Sequence, residues 1–324
     1  MPDRPNCGRG EQAVEFSIIV PVFNRKTYLE TALHSISKQT YRSYEVIVVD
    51  DGSTDDTAAY VESLGDPVST IRQTNAGVSK ARNQGAKIAR GKYLVFLDSD
   101  DVLFPWSLQC YSDLVNRLQP QVISARTIDF EDEPPMMEGC EGQEPLATCY
   151  DDYLSNAENY SFVGASCIVI KADAFARSNG FSDEMRAGED YDLLLRVGVE
   201  GPYARMEAPV TVGYRVHLGN DSKKVDRLVE GSSMLLEREA EGTYPGGTAR
   251  ASDRITIIGR VVRPVILASL QRGRLQDAWH LYRKSFWMHM RAMRIRFLLA
   301  AAFLIFVAFS QEATRLFGRM RVAR

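Results

Sequence analysis

The sequence predicts an α/β fold: a mostly parallel central sheet layered between helices, with a helical extension at the C-terminus. Three observations carry this. Apolar runs of strand length alternate with helical patterns over residues 16–97, as in a parallel sheet covered on both faces. Two of those runs end in carboxylates. After about residue 222 the pattern is helical to the end.

The elements follow in order. Residues 1–15 are polar, carry Pro2 and Pro5, and are expected to be loose. "FSIIVPVFN" (16–24) is a buried strand, and the next stretch (25–39) spaces Leu29, Leu33 and Ile36 as a helix does. "YEVIVVDDGS" (44–53) is a second strand, and "STDDTAAYVESL" (53–64) opens a helix with N-cap residues. A weak strand at 68–72, a helix over 77–91 and the strand "KYLVFL" (92–97) complete this half. Beyond it the pattern predicts a helix over 105–118 with Pro105 in its first turn, and a strand over 121–126. Residues 129–152 are acidic and rich in Pro and Gly, and are expected to form a long mobile loop. A strand entering a short helix (166–175), an acid-capped helix (188–201) and a strand ending at His217 follow.

Charge divides the chain. Residues 1–240 carry a net −14 and residues 241–324 a net +11. An acidic body with a basic tail suggests that the tail meets something anionic, such as a membrane surface. Residues 297–309 are wholly apolar, with Arg291, Arg294 and Arg296 before them and Arg315, Arg319 and Arg321 after. That run is shorter than the ~20 residues a spanning helix needs. It is expected to lie in or dip into the interface, with a tilted or short transmembrane anchor and a core or dimerisation helix as the other readings. The five cysteines have no CxxC or zinc spacing, and no signal peptide precedes Phe16. The expected location is cytoplasmic, peripheral at the cytoplasmic face of the membrane. Nothing indicates a nucleic-acid partner.

"YLVFLDSDD" (93–101) places Asp98, Asp100 and Asp101 directly after an apolar strand. Clustered carboxylates repel and raise one another's proton affinity. Strand alternation sends Asp98 and Asp100 to one face. In an open parallel sheet that end of the strand is where ligands bind, and Asp50 and Asp51 share it. A divalent cation removes the repulsion. Mg²⁺ or Mn²⁺ takes one or two carboxylates and fills its shell with water and substrate phosphates. The expected guest is therefore a metal–diphosphate. No GxGxxG follows the first strand, and "GAKIARGKY" (85–93) precedes a strand, which excludes dinucleotide and P-loop readings.

Four stretches in order together resemble a family 2 glycosyltransferase of the GT-A fold. They are "SIIVPVFN" with "QTYRSYEVIVVDDGSTDDT", "NAGVSKARNQGAKIARGKYLVFLDSDD" ending in a DXD motif, "GEDYDLLLR", and "YRVHLGNDS". The resemblance covers about residues 16–225. It implies a nucleotide-binding half (16–101), an acceptor half (102–225) and a basic helical region (226–324) outside the catalytic domain. By resemblance Pro21, Phe23 and Asn24 line the nucleotide pocket. Asp51, with Asp50 beside it, would meet the base N–H, or else the pair serves turn and capping chemistry. Arg82 and Asn83 would touch the nucleotide or sugar, or Arg82 would be a structural ion pair. Asp98 and Ser99 fall at the ribose and sugar, and Asp101 would cap the next turn. Asp100 would ligate the metal. His217 would be a second ligand or a donor to the diphosphate. Asp190 would be the catalytic base, and Glu189 would orient the acceptor or tune the proton affinity of Asp190, or else both acids only favour a helix N-terminus.

The activity implied is inverting transfer of one sugar from a nucleotide-diphosphate sugar, UDP foremost, to a hydroxyl of a glycan or lipid-linked acceptor. The setting implied is surface polysaccharide or glycolipid synthesis. The QxxRW motif of processive relatives is absent; "QRGRL" (271–275) lacks the tryptophan. A catalytically silent sugar-nucleotide-binding scaffold and a nucleotidyltransferase are the competing readings.

Overall fold

The computed structural model describes residues 14–137, 140–159, 164–217, 219–220 and 224–322, with side chains as far as Ser310. Most of the N-terminal segment expected to be loose, Leu218, Asp221 and Ser222 of the closing motif, and the side chains of Arg315, Arg319 and Arg321 lie outside the described residues.

Four parallel strands build the first half: β1 (Phe16–Val22), β2 (Tyr44–Asp50), β3 (Val68–Arg72) and β4 (Tyr93–Phe96). Their order is β3-β2-β1-β4. Every residue of β1 and of β4 is buried, as their unbroken apolar runs require. Register decides the site. Val22 lies opposite Asp50 and Ile19 opposite Phe96, so the chain leaves all three strands along one rim.

The sheet extends through β9 (Ile168–Lys171), β6 (Val122–Ser124), β10 (Tyr203–Ala208) and β8 (Leu146–Tyr150). β9 runs antiparallel to both neighbours, β10 parallel to β6, and β8 antiparallel on the edge. A small second sheet, β5 (Val102–Leu103), β11 (Val212–Arg215) and β7 (Thr127–Phe130), stands beside it. The expected loop at 129–152 is corrected at both ends, because β7 and β8 occupy them. Its acidic, Pro-rich composition hides an edge strand that pairs on one side only.

Helices α1 (Lys26–Ser37), α2 (Asp56–Ser63), α3 (Val78–Ile88), α4 (Ser107–Leu118), α5 (Ala172–Arg177) and α6 (Glu189–Val197) connect the strands. α1 buries Leu29, Ala32 and Ile36, with Leu33 partly buried against the same core. Full burial of a leucine or isoleucine is worth about 1.5–3 kcal/mol. Asp55 caps α2 by accepting the Thr57 N–H at 2.9 Å.

The C-terminal region is helical: α7 (Val225–Ala240), α8 (Ala251–Gln271), α9 (Leu275–Arg291) and α10 (Ile295–Val322). Its buried residues share one continuous core with the sheet. α7 crosses the entry to α6 so closely that a Cβ on Gly231 would lie 2.0 Å from Ala187 O. Among the described residues no helix is long and apolar enough to cross a membrane.

Candidate active site

The rim begins at the ends of β1 and β2. Pro21 is buried within β1, Phe23 is exposed, and Asn24 adopts a left-handed backbone with φ 52°. Asn24 bridges to the next strand end: its N–H donates to Ser53 Oγ at 3.0 Å, and its Oδ1 accepts the Thr54 N–H at 2.8 Å. Gly52 makes the turn possible. Its φ is +78°, and a Cβ there would meet Asn75 N at 2.7 Å.

The two aspartates at this turn differ. Asp50 is fully buried, accepts the Ser53 N–H at 2.9 Å and stands 3.4 Å from Arg72 Nε. Those contacts are turn chemistry, and Asp50 Oδ2 is left buried without a hydrogen-bond partner. Asp51 accepts from Gln73 Nε2 at 2.7 Å and from the Ala76 and Gly77 N–H groups at 2.8 Å each. A carboxylate has about four acceptor positions. Three are filled here, leaving room for one more donor on Oδ2.

Past β4, the Asp98–Asp101 turn brings three carboxylates within 4.8 Å of one another. Ser99 is buried within it. Asp101 does not cap the following turn as expected. Its Oδ2 accepts the Ser166 hydroxyl at 2.5 Å and its Oδ1 the Arg215 N–H at 3.0 Å, which fastens the turn to β11. Burial, then the Asp100 and Asp98 charges, push its carboxyl well above the usual range.

Asp100 Oδ2 meets two cationic or donor groups, the Arg25 guanidinium and His217 Nε2, the latter at 2.8 Å. His217 Nδ1 accepts the Gly219 N–H at 3.0 Å. The other ring nitrogen must therefore carry the proton, and His217 donates to Asp100. Of the two roles open to it, this arrangement suits the hydrogen-bond donor; direct ligation through Nε2 requires Gly219 to let go. Arg25 was not among the expected site residues. It is the first residue past the Asn24 turn, and only the fold brings it to Asp100.

A divalent metal fits this rim on donor chemistry. Asp101 has spent both oxygens on protein donors, and Asp98 Oδ1 is taken by Arg82 at 2.5 Å. Asp98 and Asp100 each keep one oxygen clear of protein donors, Asp98 Oδ2 and Asp100 Oδ1. Such a pair, with Asp100 the expected ligand, suits an Mg²⁺ or Mn²⁺ that keeps its other positions for water and phosphate.

Arg82 joins this turn to α6. It is buried on α3, donates to Asp98 and, through Nη1 at 3.0 Å, to Glu189 on α6. The same Nη1 lies 3.9 Å from Asp190 Oδ1, and the guanidinium stacks over Phe181. The ion-pair reading of Arg82 is the one its contacts support. Asn83, about 100° further round the helix, turns away from the carboxylates. Its amide exchanges hydrogen bonds with the Phe181 backbone and borders a groove of about 660 Å³ between α3 and α5.

Glu189 and Asp190 open α6, where carboxylates favour the helix N-terminus. Asp190 Oδ1 is buried without a hydrogen-bond partner. Burial and then the Glu189 charge raise its carboxyl well above the usual range, against the pull of Arg82. One turn on, Asp192 is held by Arg196, by Arg238 of α7 at 2.6 Å and by Tyr244 at 3.0 Å. The C-terminal helices thus anchor the helix carrying the acid pair, which no motif signalled.

Residues 17–177 match the family model "Glycosyl transferase family 2". The chain belongs to the family 2 glycosyltransferases, with a GT-A-like fold. An uncharacterized glycosyltransferase of Haemophilus influenzae is 33% identical over 204 residues, 60% of this chain and 66% of that protein. A Rickettsia prowazekii relative is matched over 57% of its own length. The Escherichia coli UDP-Glc:alpha-D-GlcNAc-diphosphoundecaprenol beta-1,3-glucosyltransferase WfaP is 29% identical over 223 residues, 68% of this chain and 84% of that protein. Among solved structures, S. aureus TarS 1–349 in complex with UDP aligns with a TM-score of 0.59 at 19% identity, over 81% of this chain and 75% of that one. The mannosyltransferase PcManGT from Pyrobaculum calidifontis, in complex with GDP-Man and Mn²⁺, aligns at 0.51 and 16%, over 89% and 86%. At these identities the structural likeness carries the fold.

Proposed function

We propose that this chain transfers one sugar from a nucleotide-diphosphate sugar, most simply a UDP-sugar, to a hydroxyl of a glycan or lipid-linked acceptor, with inversion. The carrying observation is convergence. The Asp98–Asp101 turn and the Glu189–Asp190 pair, ninety residues apart in sequence, meet across one guanidinium, Arg82.

The open acceptor position on Asp51 Oδ2 suits the ring N–H of a uracil, with Phe23 and Asn24 at the same rim. Asp98 is a third exposed at its side chain, so it can take ribose or sugar hydroxyls while Arg82 holds it in place. Arg25 and His217, both donors on Asp100, are placed to receive diphosphate oxygens. A divalent cation on Asp100 would add Lewis-acid neutralisation of the charge growing on the departing diphosphate. Asp190 takes the acceptor proton as the hydroxyl attacks the anomeric carbon, and its raised proton affinity suits a general base. Glu189 is pinned by Arg82 and orients the acceptor beside it. The names of WfaP and of the UDP-bound TarS support the UDP donor, and the WfaP name supports a lipid-linked acceptor.

Calorimetric titration of UDP, GDP and dTDP, with Mn²⁺ and then with EDTA, tests the reading. Mn²⁺-dependent binding of UDP is expected. No binding of any of the three would instead favour a silent scaffold.

A further inference from the structure

We infer that the outer face of α10, continued by the α9–α10 turn, docks on an anionic lipid bilayer. α10 is apolar on two faces about 120° apart. Leu298, Ala301 and Ile305 are buried against the other helices. Ile295, Leu299, Phe303 and Phe306, spaced four, four and three residues apart, form a second stripe that is 43%, 68%, 64% and 70% exposed. A helix apolar on both faces calls for a cover on both, and the core of this protein supplies one. Trp287 near the end of α9 and Met293 in the turn before α10 are exposed as well. Isolated exposed apolar residues are ordinary; a contiguous stripe of this kind marks a docking surface.

Charge selects the occupant. Between Asp277 and Glu312 the sequence has no acidic residue, while Arg283, Lys284, Arg291, Arg294 and Arg296 are basic. A second copy would bring no counter-charge from this segment. A layer of anionic headgroups would, and tryptophan beside arginine suits the headgroup region. The apolar run of residues 297–309 is about 20 Å of helix, short of the roughly 30 Å hydrocarbon core. The helix therefore lies in the interface plane rather than crossing it. This inference stands apart from the transferase reading and can fail alone.

The test is co-sedimentation of the full chain with vesicles of phosphatidylcholine, and of phosphatidylcholine mixed with phosphatidylglycerol. Binding to the anionic vesicles, weakened by salt, is expected. The triple variant Leu299→Glu, Phe303→Glu, Phe306→Glu should lose it with an unchanged melting curve, because all three side chains are exposed. Arg291→Ser and Arg294→Ser should each weaken it about fivefold. Equal binding to neutral vesicles, binding that survives the triple variant, or no binding at all would overturn the inference. So would light scattering that shows a dimer made monomeric by the triple variant without any vesicle binding, since a second copy would then be the occupant.

Discussion

Arg82 Nη2 lies 2.5 Å from Asp98 Oδ1, although the two residues leave different elements, the middle of α3 and the end of β4. The other arm of the same guanidinium reaches Glu189. Three carboxylates in all face this one buried cation, and they hold it charged despite the cost of burial. Removing it leaves Glu189 and Asp190 as uncompensated buried charges. Arg82→Ala should therefore cost about 3 kcal/mol, the lower end for a broken buried pair because Asp98 is a third exposed. Arg82→Lys keeps the charge but loses the fork that reaches two partners, and should recover part of that. Urea unfolding decides it. An Arg82→Ala protein within about 0.5 kcal/mol of wild type would remove Arg82 as the link between the two halves.

Asp190 sets the pH response. Its carboxyl is raised by burial and by Glu189, so the acid limb of kcat/KM should lie above the ordinary aspartate value of about 3.9. The stability sign follows from linkage. A folded-state value above the unfolded one gives stability that is fully present below the unfolded value and lost as pH rises through the folded one. Asp190→Asn removes that loss. The variant should melt higher than wild type at neutral pH, with the difference closing as pH falls toward 4. A variant less stable than wild type at every pH would mean that Asp190 is a satisfied structural acid.

Asp100→Ala and Asp190→Asn should both abolish detectable transfer, for different reasons. The first removes the principal metal ligand and should also weaken Mn²⁺-dependent UDP binding. The second should leave UDP binding intact while lowering turnover about 10²–10⁴-fold, the usual worth of a positioned base. Isothermal titration separates them. Equal loss of nucleotide affinity in both variants would refute the division of labour.

In the first half of the sheet β1, β2 and β4 were legible because they are buried over most of their length, so apolar runs announced them and the carboxylates had to fall at their ends, while the exposed β3 showed only as a weak strand. β8 and β10 were not. Tyr203–Ala208 mixes Arg205 and Glu207 with its buried Tyr203, Ala204 and Met206, and β8 is a half-exposed edge. β8 has no period of two, and β10 alternates only over residues 204–208, where two of the three apolar members are alanines. Asp98, Asp100 and the Glu189–Asp190 pair could be picked from local motifs, and the fold gathers them. The direction each side chain takes could not. Asp50 and Asp51 are adjacent and identical in sequence, yet one faces into its own turn and the other holds the 73–77 loop. Arg25 and Arg238 act through partners 75 and 46 residues away, a distance no local pattern encodes.

Arg25 supplies the last prediction. Its guanidinium sits on Asp100 Oδ2, and His217 donates to that same atom, so the carboxylate that would hold a divalent cation already faces a positive charge. A metal arriving without nucleotide is opposed by the Arg25 charge, and Arg25, whose side chain is a third exposed, has somewhere to go when it is displaced. When a diphosphate arrives with the metal, the displaced guanidinium gains two phosphate groups as partners, and the exchange becomes favourable. Arg25→Met should therefore tighten Mn²⁺ binding in the absence of nucleotide by about tenfold, the worth of one charge-assisted hydrogen bond at a partly exposed rim. The same change should weaken UDP binding at saturating Mn²⁺. Both are read by calorimetry on one protein preparation. If Mn²⁺ affinity is unchanged and only UDP binding falls, Arg25 binds diphosphate but does not guard the metal position. If both affinities fall, Arg25 holds the Asp98–Asp101 turn in shape instead.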